Sequence, residues 1–218
     1  MHIPDNFLPA DLLFLAYVVW SLMLFQAARH APWRQFFANQ LALVFLGAVL
    51  TLLLLWSFDI SIRPGLGFHF LGVTIFTLMF GWSLAVIGVS VATVGIALNG
   101  GGGWESLSLN ALLFGVLPVS VSYVSCQLVH LCLPHHIFIY IYLCGFGAAI
   151  LAASAVVLST VSLLVATNTY TLDRIAGEYL PFLPLYLFPE GVLNGMLTTV
   201  FIGLRPQWLK TFDDQSYL

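Results

Sequence analysis

Charge is what this chain has least of: six Lys and Arg and nine Asp and Glu stand among 218 residues, 7% in all. A soluble domain carries about a quarter charged and roughly half apolar residues. Here 61% are apolar and mean hydropathy is +1.01, more apolar surface than a soluble fold can hide. A net charge of -3 supplies no basic face for nucleic acid. The three cysteines, Cys126, Cys132 and Cys144, lie in apolar stretches without CxxC spacing. They are expected to be small buried hydrophobes and not a redox or zinc set. The chain has no Walker A sequence, which leaves ATP hydrolysis to other chains, and no HExxH or GxSxG pattern to suggest an intramembrane protease.

What is there is a series of apolar runs near the ~20 residues that a helix needs to cross a bilayer. Clear spans are expected at Ala10 to Ala28, Gln40 to Phe58, Leu107 to Leu131, Ile137 to Ala166 and about Leu180 to Leu204. Phe70 to Asn99 is long for one helix and short for two, and Gly81-Trp82-Ser83 at its middle could divide it. With that break there are seven spans, and Arg29, Arg34, Arg205 and Lys210 share one side against Arg63 and Arg174 on the other. Without it the basic residues split evenly. The positive-inside rule therefore favours seven spans with the amino terminus outside. Asp5, Asp59, Glu105, Asp173, Glu178 and the stretch Ile62 to His69 then fall outside as well. No linker or composition shift divides residues 1–218, so the expected fold is a single all-α polytopic membrane domain preceded by an outer segment, residues 1–9. Pro181, Pro184 and Pro189 interrupt the start of the last span, and Gly191 and Gly195 offer a small-xxx-small surface for close packing.

Met1-His2-Ile3-Pro4-Asp5 has no basic n-region, and no small-residue cleavage site follows the first apolar run. The terminus is expected to stay on the mature protein with a free amine on Met1. That amine, the His2 amide nitrogen and His2 Nδ1 can close a five-membered and a six-membered chelate ring on one ion. Three nitrogens in a plane favour Ni(II) or Cu(II), with Co(II) possible. A fourth corner needs one more nitrogen, and His69 is the other histidine on the outer side of a seven-span arrangement. A frayed terminal His2 and an interfacial His69 are the plainer reading. His30, His130, His135 and His136 read as inner-side residues. Glu190 is an ionisable group within an apolar span, either pairing helices or lining a path. Gly100 to Gly103 with Trp104 and Glu105 forms a flexible outer loop.

The opening Met-His-Ile-Pro-Asp-Asn-Phe-Leu-Pro resembles the MHIPDGFL signature of the CbiM/NikM family, the substrate-binding S components of energy-coupling-factor cobalt and nickel transporters. Phe68-His69-Phe70-Leu71-Gly72 is similar to that family's histidine-leucine-x-glycine stretch. Gly101-Gly102-Gly103 through Leu109-Asn110 resembles its outer loop, and Glu190-Gly191 its EG pair, so the likeness runs the length of the chain. Asn6 replaces a glycine, and Gly101-Gly102 stands where the family carries Gly-Asp. The resemblance implies a seven-helix S-component bundle and a square-planar metal site of Met1, His2 and His69. Asp5, Asn110 and Glu190 are then candidates for support around the site or along the path. It implies Ni2+ or Co2+ as transported substrate, not catalysis. The implied partners are membrane lipid, a transmembrane coupling subunit and cytoplasmic ATPases. The implied location is a bacterial or archaeal cytoplasmic (inner) membrane. The competing class is an intramembrane haem or redox protein using histidines such as His69 and His130 as axial ligands, or a stand-alone metal-binding membrane protein.

Overall fold

The computed structural model describes residues 2–38, 41–58 and 60–213. Met1, Gln40 (the expected start of the second span), Asp59 and the terminal residue Leu218 lie outside the described residues. In chain order the helices are α1 Ala10–His30, α2 Trp33–Ala38, α3 Leu41–Ser57 and α4 Val73–Leu98. They continue with α5 Leu107–Cys132 and α6 Ile137–Ala166, then α7 Leu172–Glu178 and α8 Leu183–Leu204. The segments α1, α4, α5, α6 and Leu172–Leu204 are each long and apolar enough to cross a membrane, and α3 is a shorter apolar helix.

The ambiguous segment resolves at Gly81. Within α4, Gly81 has φ 71° and ψ 173°, far from helical values, and glycine enters that region without a Cβ clash. In an uninterrupted helix Phe76 and Gly88 would stand about 18 Å apart. Instead a Cβ on Gly88 would lie 2.4 Å from Phe76 Cζ, so the arm of residues 73–80 folds back against the arm of residues 82–98. Counting the arms separately, seven helices form the bundle: α1, α3, the two arms, α5, α6 and α8.

A helix of eight residues covers about 12 Å, so the polar ends of the first arm lie inside protein and must be satisfied there. At its start the Glu190 carboxylate accepts from Leu71 N and Gly72 N, both at 2.9 Å. Asn194 Oδ1, one turn further along α8, accepts from Ile75 N at 2.9 Å, while Asn194 Nδ2 donates to Glu190 Oε1 at 2.8 Å. At its end the chain leaving α8 returns: Lys210 N and Thr211 N donate to the carbonyls of Met79 and Leu78 at 3.3 and 3.2 Å. Gly191 and Gly195 let α8 approach α6 closely, where added Cβ atoms would meet Ile150 Cγ1 at 2.8 Å and Phe146 Cβ at 3.2 Å.

Polarity is arranged for lipid. Leu22, Phe25, Leu54, Leu158 and Leu185 are exposed, while Thr74, Thr77, Ser122, Asn194 and Thr198 are buried. Thr74 and Ser122 join the first arm of α4 to α5 through a 2.8 Å hydroxyl pair.

Two details differ from the sequence reading. The last helix starts at Leu183 after a 3-10 turn, Leu180–Phe182. Pro184 sits in its first turn and Pro189 within it, and the helix continues past both. A small antiparallel hairpin, β1 Ile60–Arg63 with β2 Leu66–Phe68, precedes His69. Its signal was present in the Pro64-Gly65 dipeptide, a turn pair that here carries Gly65 at φ +78°. Arg63 reaches Glu178 of α7 through bonds of 2.6 and 3.2 Å.

Removing the Glu190 carboxylate strands two buried N–H groups, each costing about 1–3 kcal/mol. Glu190→Ala is expected to lower the melting temperature in detergent by several degrees, and Glu190→Gln, which keeps one acceptor, by less. An Ala variant that melts with the native protein would remove this anchor from the account.

Candidate metal centre

The site grows from the connection between β2 and α4. His69 is 3% exposed, and its Nδ1 lies 3.3 Å from the Phe70 carbonyl oxygen. A proton on Nδ1 is donated there, which leaves the Nε2 lone pair available. That Nε2 is buried without a hydrogen-bond partner among the described residues. Burial above all, with His2 nearby, holds the His69 pKa well below the ordinary histidine value. The ring is therefore a neutral donor and not a cation. The backbone that follows it is anchored: Trp56 Nε1 donates to Leu71 O at 2.9 Å, and the Glu190 carboxylate accepts from Leu71 N and Gly72 N.

The second imidazole arrives from the other end of the sequence. His2 stacks on His69 with ring centroids 5.3 Å apart and planes 28° apart. Both rings meet Phe114 of α5 edge-on, at 6.2 and 6.1 Å, and Trp56 lies 5.6 Å from His69. A cavity of about 480 Å³, lined by His2, Trp56, Pro64, Gly65, Asn99 and Gly102 among others, adjoins the pair.

What keeps a chain terminus in this position is a clasp made by the start of α5. Ile3 N donates to Asn110 Oδ1 at 2.9 Å while Asn110 Nδ2 donates to Ile3 O at 3.1 Å, so one amide side chain pairs both backbone polar groups of a single residue. The Ser106 hydroxyl donates to Ile3 O at 2.6 Å, and Ser106 N donates to Asp5 Oδ1 at 3.0 Å. Gly103 makes room for that carboxylate, since a Cβ there would stand 1.7 Å from Asp5 Cγ. Asn6, in place of the glycine of the resembled pattern, has φ +59°, a region asparagine enters more readily than most residues.

The structure thus brings His2 and His69 together, whereas Met1 lies outside the described residues. Asp5 and Asn110 hold the amino-terminal segment and Glu190 holds the peptide following His69. All three support backbone, and the Glu190 side chain is 1% exposed with both oxygens engaged. Ser106, Trp56 and Phe114 were not foreseen. Ser106 carried a signal as a serine directly before a helix; the two aromatics carried none that distinguishes them from other core residues.

The remaining histidines lie at the opposite end. His30 and His130 line another cavity together with Gly81 and Lys210. Asn110 and His130 stand on one helix about 30 Å apart, so His69 and His130 cannot be axial ligands of one haem. The cysteines depart from the uniform burial expected, with Cys126 and Cys144 buried and Cys132 exposed.

Among curated proteins, no sequence matches this chain. The solved structure titled as a truncated transition metal transporter superposes with a TM-score of 0.77 at 19% identity, covering 93% of this chain and 99% of its own. A structure titled as a transition metal transporter also gives 0.77 at 19% identity, covering 94% of this chain and 93% of its own. At that identity they establish a common fold. The sequence profile of the CbiM family, described as the cobalt uptake substrate-specific transmembrane region, matches residues 2–208, nearly the full length in which the seven-helix bundle, the clasped amino terminus and the paired imidazoles are set. The chain belongs to the CbiM family.

Proposed function

We propose that this chain is the metal-capturing membrane subunit of an uptake transporter for Ni(II) or Co(II). The observation that carries the reading is the buried Nε2 of His69, without a hydrogen-bond partner among the described residues, against the stacked ring of His2. A buried neutral imidazole lone pair costs free energy unless a donor or an ion completes it. In this reading the Met1 amine, the His2 amide and His2 Nδ1 form three corners of a square plane and His69 the fourth. Asp5, Asn110 and Glu190 position those donors and bind no metal themselves.

The end bearing this site faces outward. Arg29, Arg34, Arg205 and Lys210 then meet the cytoplasm at the other end, in keeping with the positive-inside rule, and the membrane is a bacterial or archaeal cytoplasmic membrane. The family's description as a substrate-specific region fits a capture role. A coupling subunit and ATPases of the energy-coupling-factor type supply the energy, because this chain has no Walker A sequence.

Calorimetric titration with Ni(II) should show one His2-dependent and His69-dependent site. Loss of a ligand in His2→Ala or His69→Ala should cost at least about two orders of magnitude in affinity. Asn110→Ala, which loosens a supporting contact, should stay within the ~10–100-fold typical of residues behind a ligand. Acetylation of the Met1 amine should weaken binding as much as His2→Ala does, since it removes the five-membered chelate ring and leaves both imidazoles in place. Equal affinity with and without the acetyl group would exclude the Met1 amine.

Metal binding should release protons and weaken as pH falls. Burial already keeps His69 neutral, so the decline should begin where the terminal amine titrates, with a reference pKa near ~8, and not only in the acidic range. Flat affinity through that region would contradict amine ligation. Reporter fusions at the carboxyl terminus and in the Gly100 to Gly103 loop are expected to label opposite sides of the membrane. Labelling on one side would defeat the proposed orientation.

A further inference from the structure

At the end of the bundle away from His2 and His69, three ligand-type side chains converge that the uptake site does not use. Cys126 and His130 are four residues apart on α5, hence on one face, and Cys126 Sγ lies 3.8 Å from His130 Nε2. Cys144 joins them from α6, and the three donor atoms all lie within 4.8 Å of one another. We propose that Cys126, His130 and Cys144 form a second metal site, binding a soft to borderline transition-metal ion through two thiolates and one imidazole. This site is independent of the His2 and His69 reading.

Geometry, helix register and access all support it. Tetrahedral bonds of about 2.3 Å to sulfur and about 2.0 Å to nitrogen place neighbouring donors roughly 3.5–3.8 Å apart. The Cys126 to His130 edge already has that length, and small side-chain rotations bring Cys144 in. Cys144 lies within a π-helical stretch, Tyr140–Gly147; π-helical turns are rare and concentrate at functional sites. The wider turn sets the direction of the Cys144 side chain, which an ordinary α-helical register would alter. Both cysteines are buried, whereas His130 is half-buried and lines a cavity of about 610 Å³ together with Gln26, Tyr123, Gln127 and Lys210. An ion reaching that cavity meets the imidazole first and the sulfurs behind it. The two thiols lose their protons to cavity water as the metal–sulfur bonds form.

The donor set defines the class of ion. Among the described residues no carboxylate lines this cavity, which disfavours Mg(II) and Ca(II). Thiolate with imidazole suits Zn(II), Co(II), Ni(II) or Cu(I). Three protein donors leave a fourth position open, the arrangement of sites that exchange a ligand and not of closed structural sites.

The test is a titration of the full-length reduced protein in detergent with Co(II) alone, read by near-ultraviolet thiolate-to-cobalt absorption and by bound cobalt per chain. Two ions per chain are expected, one with thiolate absorption. The Cys126→Ser/Cys144→Ser double variant should lose that absorption and one ion. His2→Ala should lose the other ion and keep the absorption, so the two sites fail separately. Absence of thiolate absorption in the native protein, or its survival in the double variant, overturns the proposal. Should the double variant not fold, X-ray absorption of the Zn(II)-loaded His69→Ala protein decides. Sulfur neighbours at about 2.3 Å support the site, and a shell of nitrogen and oxygen alone refutes it.

Discussion

The structure depends on one constraint, the need to satisfy the backbone polar groups of a helix that ends inside a membrane protein. The break at Gly81 creates such a helix, because the arm of residues 73–80 begins and stops among packed side chains. Unpaired N–H and C=O groups in hydrocarbon cost several kcal/mol each. Glu190 and Asn194 meet the donors at its start and the returning chain at Lys210 and Thr211 meets the acceptors at its end. A carboxylate buried in an apolar span is costly. Here two amide donors, the Asn194 side chain and the positive end of the helix dipole offset that cost.

The same anchor reaches the candidate metal centre. Glu190 accepts from the amides of Leu71 and Gly72, and Trp56 donates to the carbonyl of Leu71, so the His69 ring projects from a segment anchored just beyond it. The partner imidazole sits on the irregular segment that precedes α1. Asn110 and Ser106 hold that segment through hydrogen bonds to the N–H and C=O of Ile3, and Gly103 admits Asp5 where any side chain would collide. Gly102, which stands where the resembled pattern carries an acid, has φ +75°, and a Cβ there would stand 3.5 Å from His2 Cβ, in ordinary contact.

The two ends of the bundle differ in donor chemistry. One brings two imidazoles together beside aromatic rings. The other places two sulfurs near one imidazole, and among the described residues no carboxylate lines the adjoining cavity, a donor set suited to softer ions. Cys132 shares the composition of its neighbours but is exposed, so an apolar sequence context alone does not assign a cysteine to either role.

Much of this was legible in the residues. Membrane class follows from composition, because lipid selects apolar surface whatever the topology. The helix break follows from a glycine at the middle of an over-long apolar run, and the asymmetry of basic residues agreed with it. The chelating potential of Met1 and His2 is legible because ring size is a covalent property of adjacent residues. Tertiary structure alone decided which distant groups meet: Glu190 with the amides after His69, Asn110 with Ile3, Trp56 and Phe114 with the imidazoles, and Cys144 with Cys126. Those pairings join residues far apart in the chain and leave no periodic trace along it. Helix packing, and the need to satisfy every buried polar group once the chain has folded, brings them together.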